Sequence, residues 1–193
     1  MPEYSKTDIT DPINLQDVLT LIEGSKHYRS KCLFSILYMV PVRPAELLEL
    51  KRKDFSLHTI PDTETPDYLE FTIVTKKLGK KKFYPKRVFK IYSANVPHVM
   101  FHSIWRYINS LLDPERRLFN MSSRNMRYLV DKAGFKILRR HLCPYAFRHQ
   151  TLTRYAREGK GIEDLMYLKG SADVRSISPY LHGKKQDIKI KEI

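Results

Sequence analysis

The stretch CPYAFRHQTLTRY, residues 143–155, places an arginine and a histidine on an otherwise apolar side of a predicted helix. Pro144 suits the first helical position, where its missing N–H costs no hydrogen bond. At about 100° per residue, one arc of this helix holds Tyr145, Arg148, His149, Leu152 and Ala156. An arginine that faces the protein interior needs an anionic partner, because an unpaired buried charge is costly. The partner of Arg148 is therefore either an internal carboxylate or a phosphate group of a ligand.

A second arginine, Arg43, lies between an apolar run and the leucine-rich segment PAELLEL, residues 44–50. This is a predicted helix start, where the helix macrodipole disfavours a cation. One interpretation is an i,i+3 ion pair with Glu46, worth about 0.2–0.5 kcal/mol on an exposed helix. The other interpretation is a further anion close to Arg43.

Residues 76–90 carry eight basic side chains and no acidic one. The flanking segments YLEFTIVT (68–75) and KFYPKRVFKIY (82–92) are rich in β-branched and aromatic residues, which predicts a β-hairpin. A charge run is usually a solvated surface, but interleaved aromatic residues favour contact with a nucleic-acid backbone. The candidate DNA-binding residues at the hairpin tip are Lys77, Lys80, Lys81 and Lys82.

The whole chain is basic, with 35 Lys and Arg against 21 Asp and Glu in 193 residues and a net charge of +14. Such a balance favours a polyanionic partner, chiefly nucleic acid. Cys32 and Cys143 form no disulfide framework and show no zinc spacing. The pair His98 and His102 has ligand spacing but no acidic third ligand nearby, so we expect no metal and no cofactor. The absence of a signal peptide or a membrane-length apolar run predicts a soluble protein of the cytoplasm.

The periodicity along the chain predicts helices, then a small sheet, then helices. We expect helices over about 13–50, a small three-stranded antiparallel sheet over about 54–92, helices over about 96–182 and a C-terminal strand over 187–193. Since the strands are grouped rather than alternating with helices, the fold class is α+β and mostly α-helical.

Four boxes in this order resemble the tyrosine recombinase, or phage-integrase, family. They are VPVRPAELLEL (40–50), TIVTKKLGKKKFYP (72–85), PYAFRHQTLTR (144–154) and PYLHG (179–183). The resemblance spans about residues 13–188. The form of the last two boxes, with Tyr145, His182, Asp187 and Ile188, is similar to integrases of archaeal viruses and plasmids.

The resemblance implies DNA strand cleavage and rejoining without a metal, through a 3′-phosphotyrosyl intermediate. Arg43 and Arg148 would clamp the scissile phosphate, since guanidinium groups bind phosphate in a bidentate manner. Tyr180 would be the nucleophile, Lys76 the general acid, and His149 a hydrogen-bonding partner of the phosphate or the tyrosine. The implied partner is double-stranded DNA at an attachment site, bound by a tetramer and close to the nucleoid.

The sequence departs from the family pattern in two boxes. Tyr145 stands where the family usually has histidine, and a phenol is a poor base at neutral pH. In the third box, LKGS (168–171), Gly170 stands where histidine or tryptophan is expected, unless Lys169 takes that role. These changes leave two alternatives open, a type IB topoisomerase-like enzyme and a catalytically decayed DNA-binding module. We expect residues 1–193 to form a single catalytic domain, with the family's N-terminal core-binding domain absent.

Overall fold

The structure is a computed structural model that describes residues 12–59, 66–75, 86–171 and 173–181. The helices are α1 (Leu15–Glu23), α2 (Tyr28–Met39), α3 (Pro44–Leu47), α4 (His98–Asn109), α5 (Ser123–Ala133), α6 (Pro144–Arg157), α7 (Ile162–Lys169) and α8 (Ser178–Leu181). The strands are β1 (Phe55–His58), β2 (Tyr68–Val74) and β3 (Lys86–Tyr92). A π-helical turn over Gly134–Leu138 continues α5, and short 3₁₀ turns cover Arg52–Asp54, Ser93–Asn95 and Val174–Ser176.

Local signals set the first helix. Asn14 caps α1 by accepting a hydrogen bond from the backbone N–H of Asp17 at 2.9 Å, and Asp17 accepts one in return from the N–H of Asn14 at 3.0 Å. This reciprocal capping box satisfies two backbone donors that a helix start otherwise leaves unpaired. Gly24 follows as the C-cap, and α1 begins close to residue 13, where the first helices are expected to start.

The centre of the core is α2, which packs against α1, α4 and α6. Its residues from Cys32 to Leu37 are all buried, as expected for a helix covered on every side. Cys32 is a small buried hydrophobic residue, and burial raises the pKa of its thiol well above the usual range. Pro41 follows the helix, which ends at Met39.

The sheet is antiparallel with the order β1–β2–β3, which confirms the predicted hairpin and third strand. Phe55 pairs with Phe71, and Phe71 with Phe89, so the three rings form a stacked column on the buried face. In β3 the buried positions alternate as Arg87, Phe89 and Ile91. An arginine therefore occupies a core position of this strand.

The α+β, mostly helical fold is confirmed, with shifts at several boundaries. The third helix, expected to reach residue 50, ends at Leu47. The π-helical turn after α5 was not predicted. The expected C-terminal strand over 187–193 and the hairpin tip over 76–85 lie outside the described residues. Within the part of the chain that the structure describes, no helix is long and apolar enough to cross a membrane.

Candidate active site

Glu46 is the buried anion at the centre of the candidate site. Its carboxylate accepts a hydrogen bond from Arg43 Nη1 at 2.6 Å and one from Arg87 Nη2 at 2.7 Å. The Nη1 atom of Arg148 lies 4.0 Å from the same carboxylate. Burial by itself raises the pKa of Glu46, but Arg87 and Arg43 outweigh it and hold that pKa below its usual value. The carboxylate is thus ionised and shared by three guanidinium groups.

The C-terminal end of α7 also holds the three arginines in place, through its backbone carbonyl groups. Three successive carbonyl groups each accept a hydrogen bond from one arginine: Leu168 from Arg87 at 2.7 Å, Lys169 from Arg148 at 2.6 Å and Gly170 from Arg43 at 3.3 Å. The last carbonyls of a helix lack partners within the helix and carry its negative dipole end. They are therefore suited to hold cations in fixed positions.

Arg148 is positioned by the packing of α6 on the end of α2. Side chains of α6 bind the last carbonyls of α2, with Thr151 donating to Tyr38 at 2.9 Å and Tyr155 to Met39 at 2.8 Å. Arg148 itself donates to the carbonyl of Pro41. Burial, together with the charge of Arg43, lowers its pKa to about 10, so it remains charged at neutral pH.

Gly170 leaves no space for a side chain in the third box. Its φ of 63° lies in the left-handed region, and it caps the C-terminal end of α7. A Cβ atom there would come within 2.9 Å of Arg87 Nε and 3.1 Å of Thr75 Oγ1. The residue contributes its carbonyl group to the site instead.

The candidate nucleophile lies in a small separate cluster. Ala156, Leu165, Met166 and Ile177 form its buried centre, and Tyr180 packs against them half-buried. The ring of Tyr180 lies 4.9 Å from that of His149, centroid to centroid, and Lys169 Nζ lies 5.0 Å from the Tyr180 centroid. Three side chains that the sequence singled out thus meet, contributed by α6, the end of α7 and α8.

The titratable groups around Tyr180 are shifted toward their neutral forms. Burial raises the pKa of Tyr180, although Arg148 and Arg43 act in the opposite direction. Burial and the charge of Lys169 lower the pKa of His149, which leaves a neutral imidazole at pH 7. Burial, then Arg148 and Arg43, lower the pKa of Lys169 to about 8. Burial is the largest cause of all three pKa shifts and disfavours each charged form, whereas the charges of Arg148 and Arg43 act on both Tyr180 and Lys169 as a positive potential that would favour an anionic ligand.

The remaining sequence-predicted residues are placed as follows. Tyr145 lies in the first turn of α6 and is 54% exposed, so it does not share the burial of Arg148 on the predicted arc. Lys76, His182 and the candidate DNA-binding residues Lys77, Lys80, Lys81 and Lys82 lie outside the described residues. Thr75, immediately before Lys76, is buried and accepts a hydrogen bond from Arg87 Nε at 3.2 Å.

Sequence reasoning missed Arg87. It was counted only as one of the basic residues of the hairpin, whereas the structure buries it completely and bonds it to Glu46, Thr75 and Leu168. The sequence contained a sign of this burial, because side chains alternate between the two faces of a strand and Arg87 therefore shares a face with Phe89. The i,i+3 ion pair between Arg43 and Glu46, one of the two interpretations of Arg43 from the sequence, is present.

The histidine pair on α4 supports no metal site. His98 and His102 stack on each other with centroids 5.2 Å apart, and His102 contacts Trp105. Among the described residues, no group of three or more His, Cys, Asp or Glu side chains could hold a metal ion.

Comparison with known proteins connects this geometry to a fold. No family model matches the chain. The chain is 20% identical over 196 residues to the tyrosine recombinase XerD of Staphylococcus aureus, a match that covers 97% of this chain and 63% of that protein. A similar match of 19% identity is found with XerD of Staphylococcus haemolyticus. The chain thus spans less than two thirds of the length of these curated relatives.

Solved structures give the same result. The XerA recombinase superposes with a TM-score of 0.63 at 21% identity, covering 91% of this chain and 61% of that one. XerH bound to its difH substrate gives 0.63 at 16% identity, covering 89% and 50%. The catalytic domain of bacteriophage HP1 integrase gives 0.56 at 17% identity, covering 89% and 86%. The fold is therefore that of a tyrosine recombinase catalytic domain, and the relatives support the family resemblance seen in the sequence.

Proposed function

We propose that this chain is the catalytic domain of a site-specific tyrosine recombinase or integrase that cleaves and rejoins double-stranded DNA. The observation that carries the proposal is that Arg43 and Arg148, two of the three guanidinium groups around Glu46, act electrostatically on the half-buried phenol of Tyr180, whose ring lies beside that of His149. The DNA-bound recombinases among the structural neighbours support DNA as the partner.

The chemistry follows from the charges of the pocket. The phenolic oxygen of Tyr180 attacks phosphorus, the bond to the 5′ oxygen breaks, and the product is a 3′-phosphotyrosyl enzyme with a free 5′ hydroxyl. Arg43 and Arg148 stabilise the negative charge that builds up on the non-bridging oxygens. His149, neutral at pH 7, can hydrogen-bond the phosphate or the phenol.

Two proton transfers complete the step. The phenol gives up its proton as it attacks, and the neutral imidazole of His149, whose ring lies beside that of Tyr180, or a water molecule accepts it. The 5′ oxygen gains a proton, and Lys76 is our candidate general acid. At the third-box position Gly170 offers only its carbonyl, so Lys169, with a pKa of about 8, is the candidate hydrogen-bond donor to the phosphate there. Reversal of the step by a 5′ hydroxyl rejoins the strand and requires no metal.

Covalent trapping tests the proposal. The protein is incubated with nicked or supercoiled duplex DNA, denatured in detergent, and the adduct is mapped by peptide mass spectrometry. We expect DNA attached to Tyr180, lost in Tyr180→Phe and retained in Tyr128→Phe, a matched change at a tyrosine that is 64% exposed on α5. Duplex binding without any adduct would favour a decayed DNA-binding module instead. Relaxation of supercoils without sequence preference would favour the topoisomerase-like alternative.

The finer parts of the proposal have their own tests. We propose assembly as a tetramer on paired attachment sites, which mass photometry of the DNA complex would measure. The similarity of the second and nucleophile boxes to archaeal virus and plasmid integrases predicts that the coding sequence lies within an integrated element. Such a protein would act in the cytoplasm at the nucleoid, and imaging of a fluorescent fusion would show whether it does.

A further inference from the structure

Arg87 is the most deeply buried cation of the described part of the chain, with a side chain that has no exposed surface. It bonds to the Glu46 carboxylate, the Thr75 hydroxyl and the Leu168 carbonyl. All three partners are protein groups, and a DNA phosphate cannot reach a guanidinium without solvent access. The function of Arg87 must therefore be exerted through its neighbours.

The charge balance of the site shows what Arg87 changes. Arg43, Arg87 and Arg148 together carry three positive charges, and Glu46 carries one negative charge, so the group has a net charge of +2. Without Arg87, the same carboxylate would be shared by Arg43 and Arg148 alone, and the net charge would be +1. A phosphodiester carries one negative charge, and its pentavalent transition state carries about two.

We propose that Arg87 is a positioning residue that neutralises Glu46, so that Arg43 and Arg148 keep their full positive charge for the phosphate. This inference rests on the proposed function for its consequence in cleavage, but its electrostatic part concerns the DNA-free protein. Glu46 holds Arg43 in place through hydrogen bonds at 2.6 and 2.9 Å. Because Arg87 balances the negative charge of Glu46, Glu46 can hold Arg43 in place without reducing the positive charge that Arg43 and Arg148 offer to the phosphate.

Arg87 also joins the three segments that build the site. Its partners lie on α3, at the end of β2 and at the end of α7. Thr75 directly follows β2, so the bond at 3.2 Å fixes the residue with which this strand ends. The same guanidinium contacts the position of the Gly170 Cβ, which explains why the third box has glycine there.

The direct test is the pKa of Lys169, measured by NMR of its labelled side chain without DNA and assigned by Lys169→Met. The groups that face Lys169 are Arg148, Arg43, His149, Asp173, Tyr180 and the carbonyl of Ser176. Arg87→Met lowers the positive charge of the cluster, and we expect the pKa of Lys169 to rise by about half a unit or more. Arg87→Lys keeps the charge and should leave that pKa near its starting value. Glu46→Gln raises the net charge and should lower it.

The double variant Arg87→Met/Glu46→Gln restores a net charge of +2. We expect it to return the pKa of Lys169 and to recover adduct formation about tenfold relative to Arg87→Met, measured per folded molecule. A structural role alone predicts that Arg87→Lys and Arg87→Met lose activity in proportion to unfolding, with no shift at Lys169.

Each result can be separated from failure of the proposed function. An unchanged Lys169 pKa in folded Arg87→Met overturns the inference, whatever the DNA chemistry. Should Arg87→Met not fold, the comparison of Glu46→Gln with Arg87→Met/Glu46→Gln decides the matter, since these two variants differ only by the Arg87 charge and an equal Lys169 pKa in both overturns the inference. Absence of any adduct with the unaltered protein refutes the proposed function, and the titration still tests the charge balance.

Discussion

Gly170 allows a quantitative test of how tightly the arginine cluster is built. Gly170→Ala places a methyl group within 2.9 Å of Arg87 Nε, 3.0 Å of Arg87 Cζ and 3.1 Å of Thr75 Oγ1. Contacts this short require the neighbours to move, and Arg87 is completely buried and bonded on all sides. A matched control exists at Gly159, which also has a positive φ, of 96°, but whose Cβ would meet nothing within 4 Å.

Both substitutions strain the backbone, but only Gly170→Ala also crowds its neighbours. A residue with a side chain in the left-handed region costs about 1–2 kcal/mol of folding stability. A φ of 96° lies farther from the left-handed minimum than 63°, so the backbone strain at Gly159 is at least as large as at Gly170. Overpacking a filled interior adds about 1–3 kcal/mol, and only Gly170→Ala incurs it. We therefore expect Gly170→Ala to be the more destabilising by about 1–3 kcal/mol.

Urea denaturation followed by circular dichroism measures this difference, with covalent trapping on DNA as the second readout. We expect Gly170→Ala to reduce adduct formation more than its folded fraction explains, because Arg87 and the carbonyl that holds Arg43 both shift. Gly159→Ala should retain the adduct. Equal unfolding free energies for the two variants would show that the space around Arg87 is not filled as the structure indicates, and the reasoning would fail.

Three further predictions follow from other parts of the molecule. Asn14→Ala removes the α1 cap and should cost about 1 kcal/mol in urea denaturation; a change below about 0.3 kcal/mol would contradict the capping geometry. Ile177→Ala should release α8 and raise protease sensitivity near Tyr180 while the thermal midpoint changes little, since Ile177 belongs to the small second cluster and not to the main core; a large drop of the midpoint would argue against this separation. The pKa of Lys169 is about 8 in the folded protein against an ordinary 10.5, so the unfolded chain binds more protons between these values. This group therefore makes the free energy of unfolding rise with pH across that window, and the added stability is lost as the pH falls through 8. Lys169→Met should remove that part of the slope in denaturation series from pH 8 to 10.5, and an unchanged slope would contradict the shifted pKa.

Local chemistry in the sequence was enough to predict most elements. Pro144 at a first helical position, Gly24 after α1 and the clustered β-branched residues of β2 act over a few residues, so they can be recognised without the fold. Helix periodicity also placed Arg148 on an apolar arc, and a charge on a buried arc indicates a specific anionic partner. The alternatives for its partner stayed open, because an internal carboxylate and a phosphate demand the same residue type.

Only the tertiary structure decided how the charges are balanced. Glu46 and Arg87 are 41 residues apart, and their pairing depends on how α3 packs on the sheet, which no local pattern encodes. The same holds for the end of α7, whose three carbonyls hold the arginines only because α7 ends beside α3 and α6. The sequence by itself determined which residues are chemically able to bind a phosphate. The fold determined that the side chain of Arg87 has no exposed surface whereas those of Arg43 and Arg148 keep some, because burial and partner geometry depend on contacts between distant segments.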